Sequence, residues 1–354
     1  MTMQAEVISS FRKKREPMLA VAGNACMRLI AAKVIAQLQR RPLADVVNER
    51  WPTDLVTRAA AAPAMTTTTG WAAELVHRIM AQALEALGPA SAGAQVLGDG
   101  LVLGWDGAGQ ISAPGIVAAA ASAGFVAEGG PIPVRQLSSA TVIMAPFKLA
   151  SISVLTREMI ESGNAEQIIS DALVRSCGLA LDTVLFGSGA ATSAQPAGLR
   201  NGIAALTAST STDLWEAAME DIVALINAIS AVGGPGPYSL VMSPGRAATF
   251  IGRIFRDRAQ QAAPYDVHGS AAVGNDIIAI ANAALVSAFS PNPEVEAATA
   301  GTLHMDSAPV ADPGSTGTHK SLFQTETIAV KVRWPITWTL RNAAGVAWLT
   351  PVWK

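Results

Sequence analysis

The stretch that decides the fold is residues 125–203, which read FVAEGGPIPVRQLSSATVIMAPFKLASISVLTREMIESGNAEQIISDALVRSCGLALDTVLFGSGAATSAQPAGLRNGI. Apolar residues recur at nearly alternate positions from Val142 to Leu155, which is typical of a half-buried strand, and Pro146 interrupts the run. A segment with helical periodicity follows, and a glycine-rich turn ending in PAGL (residues 196–199) comes after it. The predicted order is therefore an extended arm, a long helix and a tight turn.

The helical segment is amphipathic. Asn164, with a glutamine three residues later, resembles a capping box and predicts that the helix begins nearby. Asp171, Arg175 and Asp182 lie between the apolar positions, as expected of a solvated face. Gly187 predicts the end of a helix of roughly 20 residues, or about 30 Å. Its predicted apolar stripe consists of Ile168, Ile169, Ala172, Leu173, Cys177, Ala180, Leu181, Val184 and Leu185.

Composition favours burial of surface between copies of the chain. Of the 354 residues only 15% are charged, the mean hydropathy is +0.33 and the formal net charge is −2. The best candidate for a membrane span, residues 18–38, contains Arg28 and Lys33, and the basic residues 12–15 do not introduce a convincing signal peptide. Self-association remains as the explanation. The near-zero net charge argues against a broad basic surface that grips nucleic acid.

The second half of the chain contains short α/β segments. Asp213 is the predicted N-cap of a helix over 214–232, and residues 238–242 read as a buried strand. Ser243-Pro244 then opens a helix that runs to about residue 256, and residues 276–280 form the next predicted strand. Near the C-terminus, residues 328–340 alternate between apolar and polar, which predicts a half-buried strand.

The first half contains helical texture at residues 21–38, 43–55 and 71–87. An Ala/Thr-rich segment, residues 59–70, reads as a linker. Residues 98–109 are rich in glycine and are predicted to form turns.

The segment 125–203 resembles the core of the HK97-type major capsid proteins of tailed phages. In that family a hairpin returns through a W/F-V-x-E-G element, here FVAEG at 125–129, and is followed by a strand, a "spine" helix and a G-x-G…P-x-G-L loop. The resemblance implies an α+β fold with a long spine helix, a protruding β-hairpin (the E-loop), a peripheral (P) domain and an axial (A) domain. It implies the following division: a helical N-terminal segment 1–60, an N-arm or linker with a helix 61–98, the E-loop 99–137, the P domain with the spine helix 138–189, the A domain 190–321 and the closing strands of the P domain 322–354.

The resemblance also indicates which residues carry the structural role. Phe125, Glu128 and Arg135, at the base of the E-loop, are candidate contacts between subunits. For Glu128 the alternative is an ordinary exposed carboxylate. The candidate core of the spine helix is formed by Ile169, Leu173, Cys177 and Leu181.

No catalytic, cofactor or metal site is predicted. Gly187-Ser188-Gly189 follows a helix and matches neither a nucleophile elbow nor a phosphate-binding loop. The histidines at 77, 268, 304 and 319 have no metal-ligand spacing in the sequence. Cys26 and Cys177 are predicted to be buried free thiols.

The expected partners are copies of the same chain, in pentamers and hexamers, together with a portal and a protease or cement protein. The shell would enclose DNA without sequence-specific binding, inside a virion head assembled in the host cytoplasm. Some family members join subunits by an isopeptide bond from an E-loop lysine, but this chain has no lysine between Lys33 and Lys148. Contacts are therefore expected to be non-covalent or cemented. Residues 1–60 are expected to be either a built-in scaffold that is cut off at the linker or a permanent arm.

Two other functions are compatible with parts of the sequence. An encapsulin-type nanocompartment shares the fold but encloses an enzyme, and the helical N-terminal extension before a linker favours the phage over that alternative. A hydrolase with an unrecognised site is the second, and the lack of a nucleophile–base motif speaks against it.

Overall fold

The computed structural model divides into two compact units. The first comprises Met1–Leu87, Leu149–Cys177 and Pro291–Trp334, and the second comprises Gly88–Lys148, Gly178–Ser290 and Pro335–Lys354. The described residues are 28, 31–37, 39–52, 91–105, 109–115, 141–156, 158, 165–234, 236–257, 265–290, 294–304 and 319–353.

Helices and strands are both present, as the predicted α+β class requires. The helices are α1 Leu43–Arg50, α2 Ala92–Asp99, α3 Ala165–Leu185, α4 Leu214–Gly233 and α5 Pro244–Asp257. The strands are β1 Leu101–Gly104, β2 Ile111–Pro114, β3 Thr141–Met144, β4 Phe147–Thr156, β5 Tyr238–Met242, β6 Tyr265–Gly269, β7 Ile277–Ala281, β8 Leu285–Phe289, β9 Glu294–Ala298, β10 Thr302–His304, β11 His319–Ser321, β12 Thr327–Leu340 and β13 Val346–Leu349.

The long helix α3 confirms the predicted spine. It has 21 residues, or about 31 Å at the usual rise. It ends at Leu185, two residues before Gly187, so the predicted end is also correct. The helix begins at Ala165, as predicted, while Asn164 itself lies outside the described residues. The break at Pro146 is confirmed as well, because β3 ends at Met144 and β4 begins at Phe147.

The registers of two antiparallel strand pairs are defined in the described part of the first unit. In one, β9 pairs with the first half of β12, from Ala298 opposite Ala329 to Glu294 opposite Arg333. In the other, β10 and β11 form a short ribbon. The predicted alternation is confirmed in the first half of β12, where Ile328, Val330, Val332 and Trp334 are buried and Lys331 is exposed. It fails in the second half, where Thr337 is buried together with its neighbours Ile336 and Trp338. A half-buried strand of this kind places one face in a core and the other in solvent.

The second unit is built on a four-stranded sheet in the order β13-β7-β5-β6. Strand β5 is parallel to β6 and antiparallel to β7, and every residue of β5 and β7 is buried. Helix α4 packs against this sheet through Leu225 and Ile229, which are fully buried. Asp213 caps α4 by accepting hydrogen bonds from the amides of Trp215 and Glu216, so the predicted strand–helix–strand order and this cap are confirmed.

The prediction of turns over residues 98–109 is wrong at its start. Helix α2 continues to Asp99, and Leu101–Gly104 forms β1, which pairs in parallel with β8. The glycine that suggested a turn serves close packing instead, since a Cβ on Gly100 would lie 2.9 Å from the carbonyl oxygen of Leu285. Tertiary pairing with β8 thus decides the conformation of this segment.

The first arm of the predicted E-loop hairpin contains a strand. Ile111–Pro114 (β2) pairs antiparallel with Thr141–Met144 (β3). The returning FVAEG element lies outside the described residues. Among the described helices, none is long and apolar enough to cross a membrane.

Candidate functional site: the end of the long helix

The C-terminal end of α3 is strongly buried. Leu181 is 1% exposed, and Leu185 and Phe186 are completely buried. Cys177, one of the candidate core residues, is buried too. The side chains of the other two candidates, Ile169 and Leu173, lie outside the described part of the chain.

Burial also sets the chemistry of the one described cysteine. Cys177 is a free thiol. Desolvation raises its pKa above the usual value, and a hydrogen bond with Ser176 opposes this shift only in part. A raised pKa keeps the sulfur protonated near neutral pH, so this cysteine behaves as a small core residue and not as a nucleophile.

Asp182 is the feature of α3 that the sequence pattern misplaced. The interpretation of Asp182 as part of a solvated face is wrong, because this residue is only 5% exposed. Its carboxylate accepts hydrogen bonds from the hydroxyl of Ser91 at 2.5 Å, the amide of Gly93 at 2.9 Å and the hydroxyl of Ser270 at 2.6 Å. Several donors of this kind offset much of the cost of removing a carboxylate from water.

Local sequence positions two of these donors at the start of α2. Ser91 is the N-cap of that helix and accepts a hydrogen bond from the amide of Ala94 at 3.0 Å. Gly93 allows the close approach, because a Cβ there would lie 2.7 Å from Asp182 Oδ1. Asp182 therefore connects α3 to the first turn of α2 and to the loop at Ser270. The sequence analysis did not find α2, and the Ser91 cap was the available signal.

The turn after α3 folds back onto the end of the helix. The amide of Leu199 donates to the carbonyl of Leu185 at 2.8 Å, and the amide of Gly198 donates to the carbonyl of Gly189 at 3.0 Å. A Cβ on Gly198 would lie 2.2 Å from the carbonyl oxygen of Gly187, so only glycine fits this position of the PAGL element.

Arg200 binds the C-terminal end of α3. Its Nε donates to the carbonyl of Phe186 at 2.7 Å, and its Nη1 forms an ion pair with Asp276. The guanidinium also lies over the ring of Trp348, 5.1 Å from the centroid. A cation suits the carboxyl end of a helix, where unpaired carbonyls carry partial negative charge. Arg200 therefore ties the helix end to the loop before β7 and to β13.

Two tryptophans fix the segment on either side of Arg200. Trp338 Nε1 donates to the carbonyl of Ala197 at 2.9 Å, and Trp348 Nε1 donates to the carbonyl of Ile203 at 2.8 Å. The end of α3 is thus held by hydrogen bonds, an ion pair and ring packing. These contacts hold the backbone at the end of α3 in place.

The predicted subunit contacts at the base of the E-loop, Phe125, Glu128 and Arg135, lie outside the described residues. Their role as subunit contacts stays a prediction. Within the described part of the chain, no group of three or more His, Cys, Asp or Glu side chains could hold a metal ion together.

Comparison with known proteins agrees with the resemblance to phage capsid proteins that the sequence shows. Residues 106–251 match the phage capsid family. The chain is also 26% identical, over 330 residues and 84% of its length, to the capsid polyprotein of Pseudomonas phage PAJU2. The match covers 48% of that protein, so the chain spans about half the length of this curated relative.

Solved structures of similar shape come from several sources. The virus-like particle from Pyrococcus furiosus has a TM-score of 0.45 at 14% identity, over 77% of this chain and 98% of that one. Microbacterium phage Oxtober96 gives 0.48 at 16% identity, over 74% and 91%. The capsid of an empty GTA particle gives 0.40 at 14% identity, over 71% and 87%. Because each TM-score is below 0.5, the assignment rests on the family match and the curated relative.

Residues 106–251 are thus similar to the phage capsid family, and most of the chain is similar to a phage capsid polyprotein, as the sequence resemblance predicted. These similarities favour the predicted capsid role over the encapsulin and hydrolase alternatives.

Proposed function

We propose that this chain is the major subunit of a phage head shell, in which copies assemble as pentamers and hexamers into an icosahedral container for DNA. The match of residues 106–251 to the phage capsid family carries the proposal. The near-zero net charge supports a container that confines DNA without gripping it through a broad basic surface.

Exposed apolar side chains support self-assembly. Single exposed apolar residues are ordinary on a protein surface, but a chain with 15% charged residues offers little to keep its copies apart. Such residues are suited to burial between subunits. The large hydrophobic residues that the described chain exposes are Leu101, Ile143, Ile152, Leu179, Leu214, Val223, Phe323 and Val352.

The division of labour follows the expected domains. The P domain, with α3 and the closing strands, supplies the rigid body. The A domain, residues 190–321, lies around the symmetry axes, and the E-loop, residues 99–137, reaches a neighbouring subunit. At its base Phe125, Glu128 and Arg135 make the contacts between subunits. A portal occupies one vertex, and a cement protein or a protease acts on the shell from outside this chain.

Subunit contacts are non-covalent, because the E-loop contains no lysine to form an isopeptide bond. Mature particles boiled in detergent and reductant are therefore expected to release single chains. A ladder of oligomers that survives this treatment would contradict the proposal of non-covalent contacts. It would not contradict the proposal that the chain forms a shell.

The N-terminal segment is the part most open to processing. Mass spectrometry of protein from DNA-filled heads should show loss of roughly the first 60 residues if the segment is a scaffold, since linkers of small residues are accessible to proteases. An intact segment in such heads would identify a permanent arm instead.

Electron microscopy of the purified, untagged chain tests the main proposal. Closed shells with five- and six-fold vertices are expected. If the particles form only around a co-purifying enzyme, the encapsulin alternative replaces the phage head. If no closed particle forms under any assembly condition, with or without a co-expressed portal and protease, the shell function is wrong.

A further inference from the structure

The β10–β11 ribbon of the first unit brings two histidines together. His304 stands directly opposite His319 in the antiparallel register, at the end of the ribbon nearest to residues 305–318. Their ring centroids are 5.0 Å apart, and the ring planes differ by 31°. Fifteen positions separate these residues in sequence, so the pairing is a product of the register and cannot be read from motif spacing.

The ring separation fits a shared metal ion. A transition metal about 2.1 Å from an imidazole nitrogen lies about 3.2 Å from the ring centre. Two rings on one tetrahedral ion therefore have centroids about 5.2 Å apart. The observed 5.0 Å lies close to this value.

A second observation concerns the imidazole of His304. Its Nε2 is buried and accepts or donates no hydrogen bond within the described part of the protein. Buried polar atoms in native proteins nearly always have a partner, which can be protein, water or an ion. The ring of His304 thus places a nitrogen with coordinating capacity beside a second imidazole.

Within the described ribbon, the nearest basic side chain in sequence does not lie between the two histidines. Lys320 is next to His319 in sequence, but strand alternation places successive side chains on opposite faces, and Lys320 stands opposite Leu303. The two histidines therefore share one face of the ribbon without the lysine between them.

We propose that His304 and His319 bind one divalent transition-metal ion across the β10–β11 ribbon. Imidazole ligands select ions of the zinc, copper and nickel class over magnesium and calcium, which prefer oxygen ligands. Two protein ligands leave further coordination positions for water or for other groups. The ion would join the two strands at His304 and His319 and stabilise the ribbon, because it binds the folded arrangement and not the unfolded chain. The proposal does not depend on shell assembly.

The test uses the untagged full chain, one equivalent of Cu²⁺ and electron paramagnetic resonance. We expect a spectrum with nitrogen hyperfine structure from two imidazoles in the wild type. The double variant His304→Asn/His319→Asn should lose this signal, and each single variant should lose the two-nitrogen pattern. The matched control is His77→Asn, which removes one of the other two histidines and should keep the wild-type spectrum.

Thermal unfolding gives an independent readout with Zn²⁺ in place of Cu²⁺. Zinc should raise the Tm of the wild type and of His77→Asn but not the Tm of the double variant. All variants are to be compared without metal first, so that a loss of folding is recognised by its own Tm. A wild type that shows no two-nitrogen spectrum, or a double variant that retains it, would overturn the proposal.

Discussion

Two regions of this molecule hold carboxylates by opposite means. In the second unit Asp182 is buried and receives three hydrogen bonds from Ser91, Gly93 and Ser270, none of them from a cation. In the first unit Glu294 and Glu296 of β9 face the basic residues of β12 and remain 50% and 62% exposed.

The second arrangement is a cross-strand pair of salt bridges. Lys331 lies 2.5 Å from Glu296, and Arg333 forms an ion pair with Glu294, each directly opposite in the register. Solvent screens such pairs, so they contribute little to stability and serve mainly to fix the register and to keep one face of the strand soluble. The hydrogen bonds to Asp182 cannot be replaced by water. The comparison indicates that burial, and not formal charge, determines how much each carboxylate contributes to the stability of the fold.

Removal of the buried carboxylate should have the largest effect. Asp182→Ala leaves donors at Ser91, Gly93 and Ser270 without their acceptor, and each unsatisfied buried donor costs about 1–3 kcal/mol. We expect the free energy of unfolding to fall by about 3 kcal/mol or more, measured by urea titration of the purified subunit.

Asp182→Asn is the matched control for that change. It keeps one oxygen acceptor and the shape of the side chain, and the hydroxyl of Ser270 can turn to accept from the new amide. It should therefore lose much less stability than the alanine variant. Equal midpoints for wild type and Asp182→Ala would show that the network is not important for the fold.

Two leucines of α3 extend the comparison to apolar groups. Leu181 is 1% exposed and Leu179 is 62% exposed. Leu181→Ala should destabilise the subunit by about 2–5 kcal/mol, whereas Leu179→Ala should change it by less than about 0.5 kcal/mol. Urea unfolding of both variants measures the contrast. A large loss from Leu179→Ala in the isolated subunit would contradict the assignment of that face to the surface.

Two glycines in the turn after α3 offer a smaller contrast. Gly198→Ala would place a Cβ 2.2 Å from a carbonyl oxygen, while the nearest atom to a Cβ on Gly189 is 3.9 Å away. Gly198→Ala should destabilise by about 1–3 kcal/mol, the usual cost of forcing extra atoms into packed structure. Gly189→Ala, compared by thermal unfolding, should be close to neutral. If both variants match the wild type, the turn relaxes more easily than its contacts indicate.

The exposed pair should give the smallest effect. A hydrogen bond from Lys331 holds the pKa of Glu296 below its usual value. Any stabilisation is therefore present near neutral pH and is lost as the pH falls through the lowered pKa. Because both side chains are exposed, Glu296→Gln should leave the urea midpoint at pH 7 unchanged within error, at low and at high salt. A clear drop that salt abolishes would show that the pair matters more than its exposure suggests.

Much of the fold could be predicted because its elements carry local signals. Helix α3 shows continuous helical periodicity, α4 has its cap at Asp213, and the two faces of β12 differ in polarity. These signals are written in neighbouring residues, so they survive without knowledge of the tertiary structure.

The features that the sequence did not predict have a different physical origin. Asp182 and Glu296 look alike in the sequence, and only donors contributed from elsewhere in the chain distinguish them. Gly100 resembles a turn residue, yet it is there because Leu285 of β8 passes close by. The pairing of His304 with His319 depends on strand register. Each of these features depends on contacts between distant segments, which periodicity does not encode.

Light scattering of the purified wild-type chain across a wide range of concentrations tests self-assembly most directly. We expect the mass to rise from subunits to pentamers and hexamers and then to closed particles, because the chain has few charges and exposes apolar side chains. A mass that stays at one chain over the whole range, in protein that is folded by its unfolding transition, would contradict the proposal that the chain builds a shell.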